Sequence, residues 1–171
     1  MSKIWNSIQN LGYHLRERKQ KENIKIVLSS GYFSILTRGH VRLLESSKKL
    51  GDVLVVVVNG DNALFHKKGF VPQFVDERLE IIESLSCVDY VVVWDLPNVG
   101  GVIDRLNVDV FAKGGDEYLS NKDMNIEELV ACKKNNVKIE YGVGGTSKIA
   151  SSSDVFSRHL EYLKSIGYEK K

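Results

Sequence analysis

The feature that most constrains the fold is the unbroken apolar run Val-Leu-Val-Val-Val-Val, which lies inside the segment 52–59. β-branched residues favour strands, and a strand without polar alternation is buried on both of its faces. Strands of this kind are typical of parallel sheets that carry helices on each side. The run therefore predicts a strand of a parallel α/β sheet.

Strand-like and helix-like segments alternate along the rest of the chain. The predicted strands cover residues 24–30, 52–59, 88–94, 108–112 and 137–141. The predicted helices cover residues 39–50, 76–85, 99–106, 125–134 and 152–166. Such alternation produces βαβ units with right-handed crossovers. We expect a Rossmann-like single α/β domain of about five parallel strands with helices on both faces.

An amphipathic helix is predicted ahead of this domain. Ile4, Ile8, Leu11 and Leu15 recur at helical spacing, and a run of charged residues follows them. We assign residues 1–23 to this leading helix and residues 24–171 to the domain proper.

Composition excludes several classes of protein. The chain has 171 residues, with 24 basic and 22 acidic side chains and a net charge of +2, so no overall field favours nucleic acid or an anionic membrane. Cys87 and Cys132 are too few and too far apart for a disulfide framework or a cysteine zinc site. The first residues lack the apolar core of a signal peptide, and no apolar run reaches membrane-spanning length. We expect a cytoplasmic protein, and the histidine spacing predicts no protein-held metal.

Ligands of parallel α/β sheets bind beyond the carboxyl ends of the strands, where the strand order reverses. The predicted loops at that edge combine glycine with Ser, Thr, Lys or Asp, and they cover residues 31–38, 60–74, 113–119 and 142–153.

One of these loops leads into the pattern Thr37-Arg38-Gly39-His40 at the start of a predicted helix. Thr37 and His40 are three residues apart, so both face one side of the helix start. Gly39 leaves room for a phosphate near the backbone, where free N–H groups and the helix dipole favour anions. A hydroxyl and an imidazole there suit a triphosphate whose α-phosphorus is attacked. On this short motif alone, plain helix capping by both residues is the alternative.

Dinucleotide binding is disfavoured. Its fingerprint, Gly-x-Gly-x-x-Gly, is missing because Gly31 is followed by Tyr32 and Phe33, and no Walker loop is present.

The stretch from Gly31 to His40 resembles the G-x-F-D-x-L-H-x-G-H signature of the cytidylyltransferase-like nucleotidyltransferases. The similarity spans residues 24–158 and includes the Lys-Gly-Gly-Asp loop at 113–116 and the serines at 151–153. Among members of that family, the adenylyltransferase domain of ADP-heptose synthase and glycerol-3-phosphate cytidylyltransferase are the most similar.

The resemblance implies transfer of CMP or AMP from CTP or ATP to a phosphorylated sugar, polyol or amino alcohol, with release of pyrophosphate. Mg²⁺ would accompany the triphosphate, and the protein would be a homodimer. The implied catalytic residues are Thr37, His40, Lys67 and Lys68. The implied nucleotide-binding residues are Gly31, Tyr32, Phe33, Gly39, Arg78, Lys113, Gly114, Gly115, Asp116, Ser151, Ser152 and Ser153.

Each of these residues also has a structural alternative. The lysines are equally compatible with a solvated loop, and Arg78 with a surface charge on a helix. Asp116 is compatible with a turn, and the serines with a helix N-cap.

Two positions depart from the family signature. Thr37 stands where most members have histidine, and Ser34 stands where they have aspartate. A hydroxyl can still donate to a phosphate oxygen, although it carries no charge. A non-catalytic nucleotide-binding relative of the same fold is therefore the alternative function.

The resemblance, together with the apolar stripe at Ile4, Ile8, Leu11 and Leu15, predicts a homodimer. The mass measured by light scattering at micromolar concentration is expected to be twice that of the chain. A strictly monomeric mass would contradict this prediction.

Overall fold

The protein is described by a computed structural model that covers residues 2–114, 124–145 and 150–168. The strands are β1 Ile4–Trp5, β2 Ile26–Gly31, β3 Val53–Asn59, β4 Tyr90–Trp94, β5 Val110–Gly114 and β6 Lys138–Val143. The helices are α1 Ile8–Glu22, α2 Arg38–Lys48, α3 Asp61–Lys68, α4 Val75–Glu83, α5 Gly100–Leu106, α6 Ile126–Lys134 and α7 Ser152–Ser165. None of the helices in these ranges is long and apolar enough to cross a bilayer.

The strands form a parallel sheet in the order β1-β4-β3-β2-β5-β6. This confirms the Rossmann-like α/β prediction, with six described strands in place of about five. The additional strand, β1, is two residues long, which is too short to give a periodic signal, and it forms only by pairing with β4. The strand order reverses between β2 and β5, so their carboxyl ends open the crevice in which ligands of this architecture bind.

The packing of strand β3 explains why its residues 53–58 are all apolar. Alternate side chains of β3 enter different core clusters, because successive residues of a strand point to opposite faces of the sheet. One cluster takes Val55 and is covered by α1, α5 and α6, and the other takes Val56 and is covered by α2 and α4. Residues 53–58 meet water on neither face of the sheet, which accounts for the absence of polar side chains among them.

Helix α1 packs into the same core as the sheet. Leu11 and Leu15 have no exposed surface and belong to the cluster that also contains side chains of α5. Ile8 packs against this cluster, and Ile4 packs against the cluster on the other face. The chain therefore covers its own apolar stripe, and the homodimer prediction keeps only the family resemblance as support. The assigned boundary between residues 23 and 24 stays a prediction.

The prediction that residues 60–74 form a loop is wrong for the first half of this segment, which forms helix α3. The N–H of Ala63 donates to Asp95 Oδ1 (3.3 Å), which stabilises the helix start, and Gly69 ends the helix with a φ of 78°. The sequence contained the C-terminal signal, Gly69, but the contact with Asp95 forms only on folding, and weak apolar periodicity concealed a helix of 8 residues. Lys67 and Lys68 consequently occupy the last helical turn, where basic residues are favourable.

Candidate functional site

The first predicted site element is the start of α2, beyond the carboxyl end of β2. Thr37 is the N-cap residue, and its N–H donates to Nδ1 of His40 (3.1 Å) in the manner of a capping box. An imidazole nitrogen that accepts a hydrogen bond carries no proton, so the proton of the neutral ring lies on Nε2. The capping interaction thus makes His40 a hydrogen-bond donor through Nε2.

The surroundings of His40 keep the ring neutral. Burial lowers the pKa of His40 below its usual value, a hydrogen bond with the Ile35 backbone raises it, and the positive charge of Lys68 lowers it further. The ring of Phe33 meets the imidazole edge-on, with the centroids 5.3 Å apart. At neutral pH His40 therefore supplies a hydrogen bond and no full charge.

The start of α2 touches the residue that precedes α7. Thr37 Oγ1 donates to the carbonyl of Ala150 (3.2 Å). A Cβ on Gly39 would lie 2.5 Å from the same carbonyl oxygen, which is closer than any side chain permits. Packing alone therefore requires glycine at position 39, because the absence of a side chain lets the backbones of two helix starts approach each other.

Helix α7 begins with the three predicted serines. Ser151 is the N-cap, and its Oγ accepts the N–H of Asp154 (3.3 Å) while the Asp154 carboxylate accepts the N–H of Ser151 (3.0 Å). Lys68 Nζ donates to Ser152 Oγ (3.3 Å) and Ser153 Oγ (3.0 Å). The end of α3 is thereby joined to the start of α7.

These contacts assemble one site from elements far apart in sequence. We call it the phosphate cradle and define it by Thr37, Gly39, His40, Lys68, Ser152 and Ser153. Two helix N-termini meet in it beside a lysine ammonium, and each helix start favours an anion through its free N–H groups and its dipole. The cradle thus brings together several hydrogen-bond donors that an anion could accept from, and its residues are ones that the sequence pattern or the family resemblance had singled out.

Lys67 lies apart from the cradle. Its side chain is exposed, and its Nζ forms no hydrogen bond or ion pair with any residue in the described part of the chain. The two neighbouring lysines, which the sequence could not separate, thus have different surroundings because they point to different sides of α3.

Arg78 is a buried structural residue in the core of the site region and not a surface charge. Its guanidinium donates to the carbonyls of Tyr32 (2.6 Å), Asn59 (2.7 Å) and Gln73 (3.1 Å). It also forms an ion pair with Asp61 (2.7 Å). Arg78 therefore ties the ends of β2 and β3 to the start of α3, and this support of the cradle could not be read from sequence.

The end of β5 contains a second buried ion pair. Lys113 Nζ lies 2.7 Å from Glu128 of α6 and 4.5 Å from the centre of the Phe111 ring. Glu128 also accepts the N–H of Val99. Sequence reasoning missed Glu128 because an acidic residue in a first helical turn is unremarkable. Gly114 ends the strand, and Gly115 and Asp116 lie outside the described residues.

The remaining predicted residues line the floor of the crevice. A Cβ on Gly31 would lie 3.1 Å from the ring of Phe33. Phe33 is buried, with 3% exposure and a φ of 45°, a conformation that bulky residues rarely adopt. Tyr32 presents its carbonyl to Arg78. Phe33 thus supports His40 from below.

Comparison with known proteins extends the similarity over most of the chain. A family model described as cytidylyltransferase-like matches residues 28–158. The bifunctional protein HldE of Helicobacter pylori strain J99 is 42% identical over 117 residues, which are 67% of this chain and 25% of that protein. HldE of Citrifermentans bemidjiense is 34% identical over 146 residues, 83% of this chain and 30% of that protein. The chain thus spans between 25% and 30% of the length of these curated relatives.

Solved structures agree with the fold. The lipopolysaccharide core biosynthesis protein of Thermoplasma volcanium GSS1 is 31% identical, with a TM-score of 0.54 over 68% of this chain and 93% of its own. Pantoate-β-alanine ligase of Francisella tularensis, solved with beta-gamma ATP and β-alanine, has a TM-score of 0.55 over 82% of this chain and 66% of its own. It is 14% identical, so it shows the fold alone.

The lowered pKa of His40 predicts a pH-dependent contribution to stability. The unfolded chain binds a proton at His40 with a pKa of about 6.5, whereas the folded state resists that proton, so the free energy of unfolding falls as the pH drops below about 6.5. His40→Asn keeps an acceptor for the Thr37 N–H and does not titrate. Urea unfolding is measured at pH 7.5 and pH 5.5. Between these pH values the free energy of unfolding is expected to fall less in the variant than in the wild type.

The matched control is His159→Asn, because His159 is exposed on α7. The decrease in its free energy of unfolding between the two pH values should equal that of the wild type. An equally large loss in His40→Asn would contradict the assignment of a neutral, buried His40.

Proposed function

The chain belongs to the cytidylyltransferase-like family of nucleotidyltransferases, and on that premise we propose that it transfers AMP or CMP from ATP or CTP to a phosphorylated small molecule and releases pyrophosphate. The observation that carries the proposal is the phosphate cradle, in which two helix N-termini, His40 and Lys68 converge at the switch point of the sheet. This arrangement offers several fixed donors to a polyphosphate, as a transfer at the α-phosphorus requires.

The proposed reaction is a single in-line displacement. A phosphate oxygen of the acceptor forms a bond to the α-phosphorus, and the bond from that phosphorus to the bridging oxygen of pyrophosphate breaks. Negative charge develops on the bridging oxygen, where His40 Nε2–H and the N–H groups of α2 donate. Lys68 and the start of α7 hold the outer phosphates. No covalent enzyme intermediate is needed, because positioning and charge stabilisation suffice.

The acceptor is proposed to be a sugar phosphate, with polyol and amino-alcohol phosphates as the other candidates. The similarity to a lipopolysaccharide core biosynthesis protein supports a sugar, because that core is a carbohydrate. The base of the nucleotide is proposed to be adenine or cytosine.

We propose that Mg²⁺ enters with the triphosphate on its phosphate oxygens. The two carboxylates of α3 and α7 nearest to the helix starts support this proposal, because each already interacts with a protein donor and is not free to ligate the ion. Asp61 pairs with Arg78, and Asp154 accepts hydrogen bonds from Ser151. When bound, the ion would neutralise phosphate charge, while Lys68 and the helix starts orient the chain of phosphates.

We further propose a cytoplasmic location and a homodimeric assembly. The free thiols of Cys87 and Cys132 support a reducing compartment, and the homodimer has the family resemblance as its support.

The alternative function is a nucleotide-binding protein without catalysis. One observation favours it: the hydroxyls of the two residues that depart from the family signature both bond within the chain. Thr37 Oγ1 donates to Ala150, and Ser34 Oγ donates to Ser152. In this alternative the cradle binds the triphosphate and no pyrophosphate leaves.

A pyrophosphate-release screen decides between the two functions. ATP, CTP, GTP and UTP are each combined with sugar, polyol and amino-alcohol phosphates in the presence of Mg²⁺. The wild type is expected to release pyrophosphate with at least one pair. His40→Ala is expected to lower kcat about a hundredfold, because a lost donor at developing charge costs roughly 3 kcal/mol.

The control for this screen is the unfolding temperature of His40→Ala, which should show a folded protein. A wild type that binds a triphosphate but is silent with every acceptor would support the binding protein. Normal turnover by folded His40→Ala would remove His40 from the mechanism.

The lysine contacts predict unequal roles at positions 67 and 68. Lys68→Ala removes the ammonium that touches Ser152 and Ser153, and should lower kcat/KM for the triphosphate about tenfold or more, since a charge-assisted hydrogen bond is worth roughly 1.5–3 kcal/mol. Lys67→Ala should cause a smaller loss because its ammonium lies apart from the cradle. Steady-state kinetics with varied triphosphate measure both. Equal losses, or the larger loss at Lys67, would contradict the placement of Lys68 in the cradle.

A further inference from the structure

Ser34 is a buried residue at the junction of the two helix starts. It lies between Phe33 and α2, with 1% of its surface exposed, and its Oγ donates to Ser152 Oγ at 2.9 Å. Ser152 is the first residue of α7 and is 7% exposed. The residue that departs from the family signature thus contacts a member of the cradle directly.

Ser152 Oγ receives two hydrogen bonds. One comes from Ser34 Oγ, and the other comes from Lys68 Nζ at 3.3 Å. A hydroxyl group has two acceptor lone pairs and one proton. With both lone pairs engaged by donors, the proton of Ser152 is directed away from Ser34 and Lys68 and remains available to an acceptor at the helix start.

We propose that Ser34 is a positioning residue for triphosphate binding, which acts through Ser152 and does not touch the substrate itself. Its hydroxyl orients Ser152 so that the proton of Ser152 points to a phosphate oxygen, beside Lys68. This inference rests on the proposed function of the cradle and names a specific residue that sets its donors.

A double-mutant cycle tests the proposal. Wild type, Ser34→Ala, Ser152→Ala and the double variant are compared in KM for the triphosphate, KM for the acceptor, and the Kd of ATP and CTP by calorimetry. Ser34→Ala is expected to raise the triphosphate KM and Kd about fivefold, the value of one hydrogen bond, and to leave the acceptor KM unchanged. In the Ser152→Ala background, Ser34→Ala should change neither constant further.

Two outcomes of this cycle would overturn the proposal. One is a triphosphate KM and Kd of Ser34→Ala equal to those of the wild type. The other is a fivefold effect of Ser34→Ala that persists in full in the Ser152→Ala background.

The matched control is Ser47→Ala. Ser47 is a fully buried serine of α2 whose hydroxyl donates to the carbonyl of Leu43 (2.7 Å), within the helix itself. It should lower the unfolding temperature without changing the triphosphate constants. A Ser34→Ala variant that behaves in the same way would reduce Ser34 to a structural residue. If Ser34→Ala does not fold, Ser34→Cys keeps the size of the side chain with a weak donor, and the same rise in triphosphate Kd is expected.

The failure of the inference and the failure of the proposed function remain separate outcomes. A wild type that binds triphosphate without turnover rejects the proposed transfer reaction, and the calorimetric cycle still decides the role of Ser34. A wild type that turns over while Ser34→Ala keeps normal constants rejects the inference alone. A wild type that binds neither ATP nor CTP rejects both.

Discussion

The architecture of the site depends on one backbone contact, the approach of Gly39 to the carbonyl of Ala150. A Cβ at position 39 would lie 2.5 Å from that oxygen, so no other residue fits without displacing a helix start. Thr37 Oγ1 bonds to the same carbonyl. Through this contact the N-termini of α2 and α7 lie side by side, although they are more than 100 residues apart along the chain.

Beneath this contact, buried polar groups satisfy one another. Arg78 and Lys113 would each be costly to bury alone, and each is paired with a carboxylate, Asp61 and Glu128 respectively. Arg78 also donates to carbonyls at the ends of β2 and β3, which are the points from which the loops of the site leave the sheet. Such pairs restrict the loops to one geometry, so that donors at the rim do not have to be ordered again by the ligand.

The cradle combines the dipoles of two helix starts with the positive charge of Lys68. Burial and the positive charge of Lys68 lower the pKa of His40, so that its ring contributes a hydrogen bond while Lys68 contributes the charge. The two departures from the family signature fit the same scheme, because Ser34 and Thr37 are uncharged and both bond to the start of α7. Both residues therefore depend for their hydrogen bonds on the contact between the two helix starts.

The sequence by itself determined the fold class and singled out Thr37, Gly39 and His40, because periodicity, glycine placement and helix-start signals are local properties of the chain. Strand β3 and the pattern from Thr37 to His40 illustrate this. Tertiary structure alone decided that Lys68 faces the cradle and Lys67 does not, that Arg78 is buried, and that Ser34 reaches Ser152. These outcomes depend on which elements become neighbours after folding, because the contacts join residues that are far apart in the sequence.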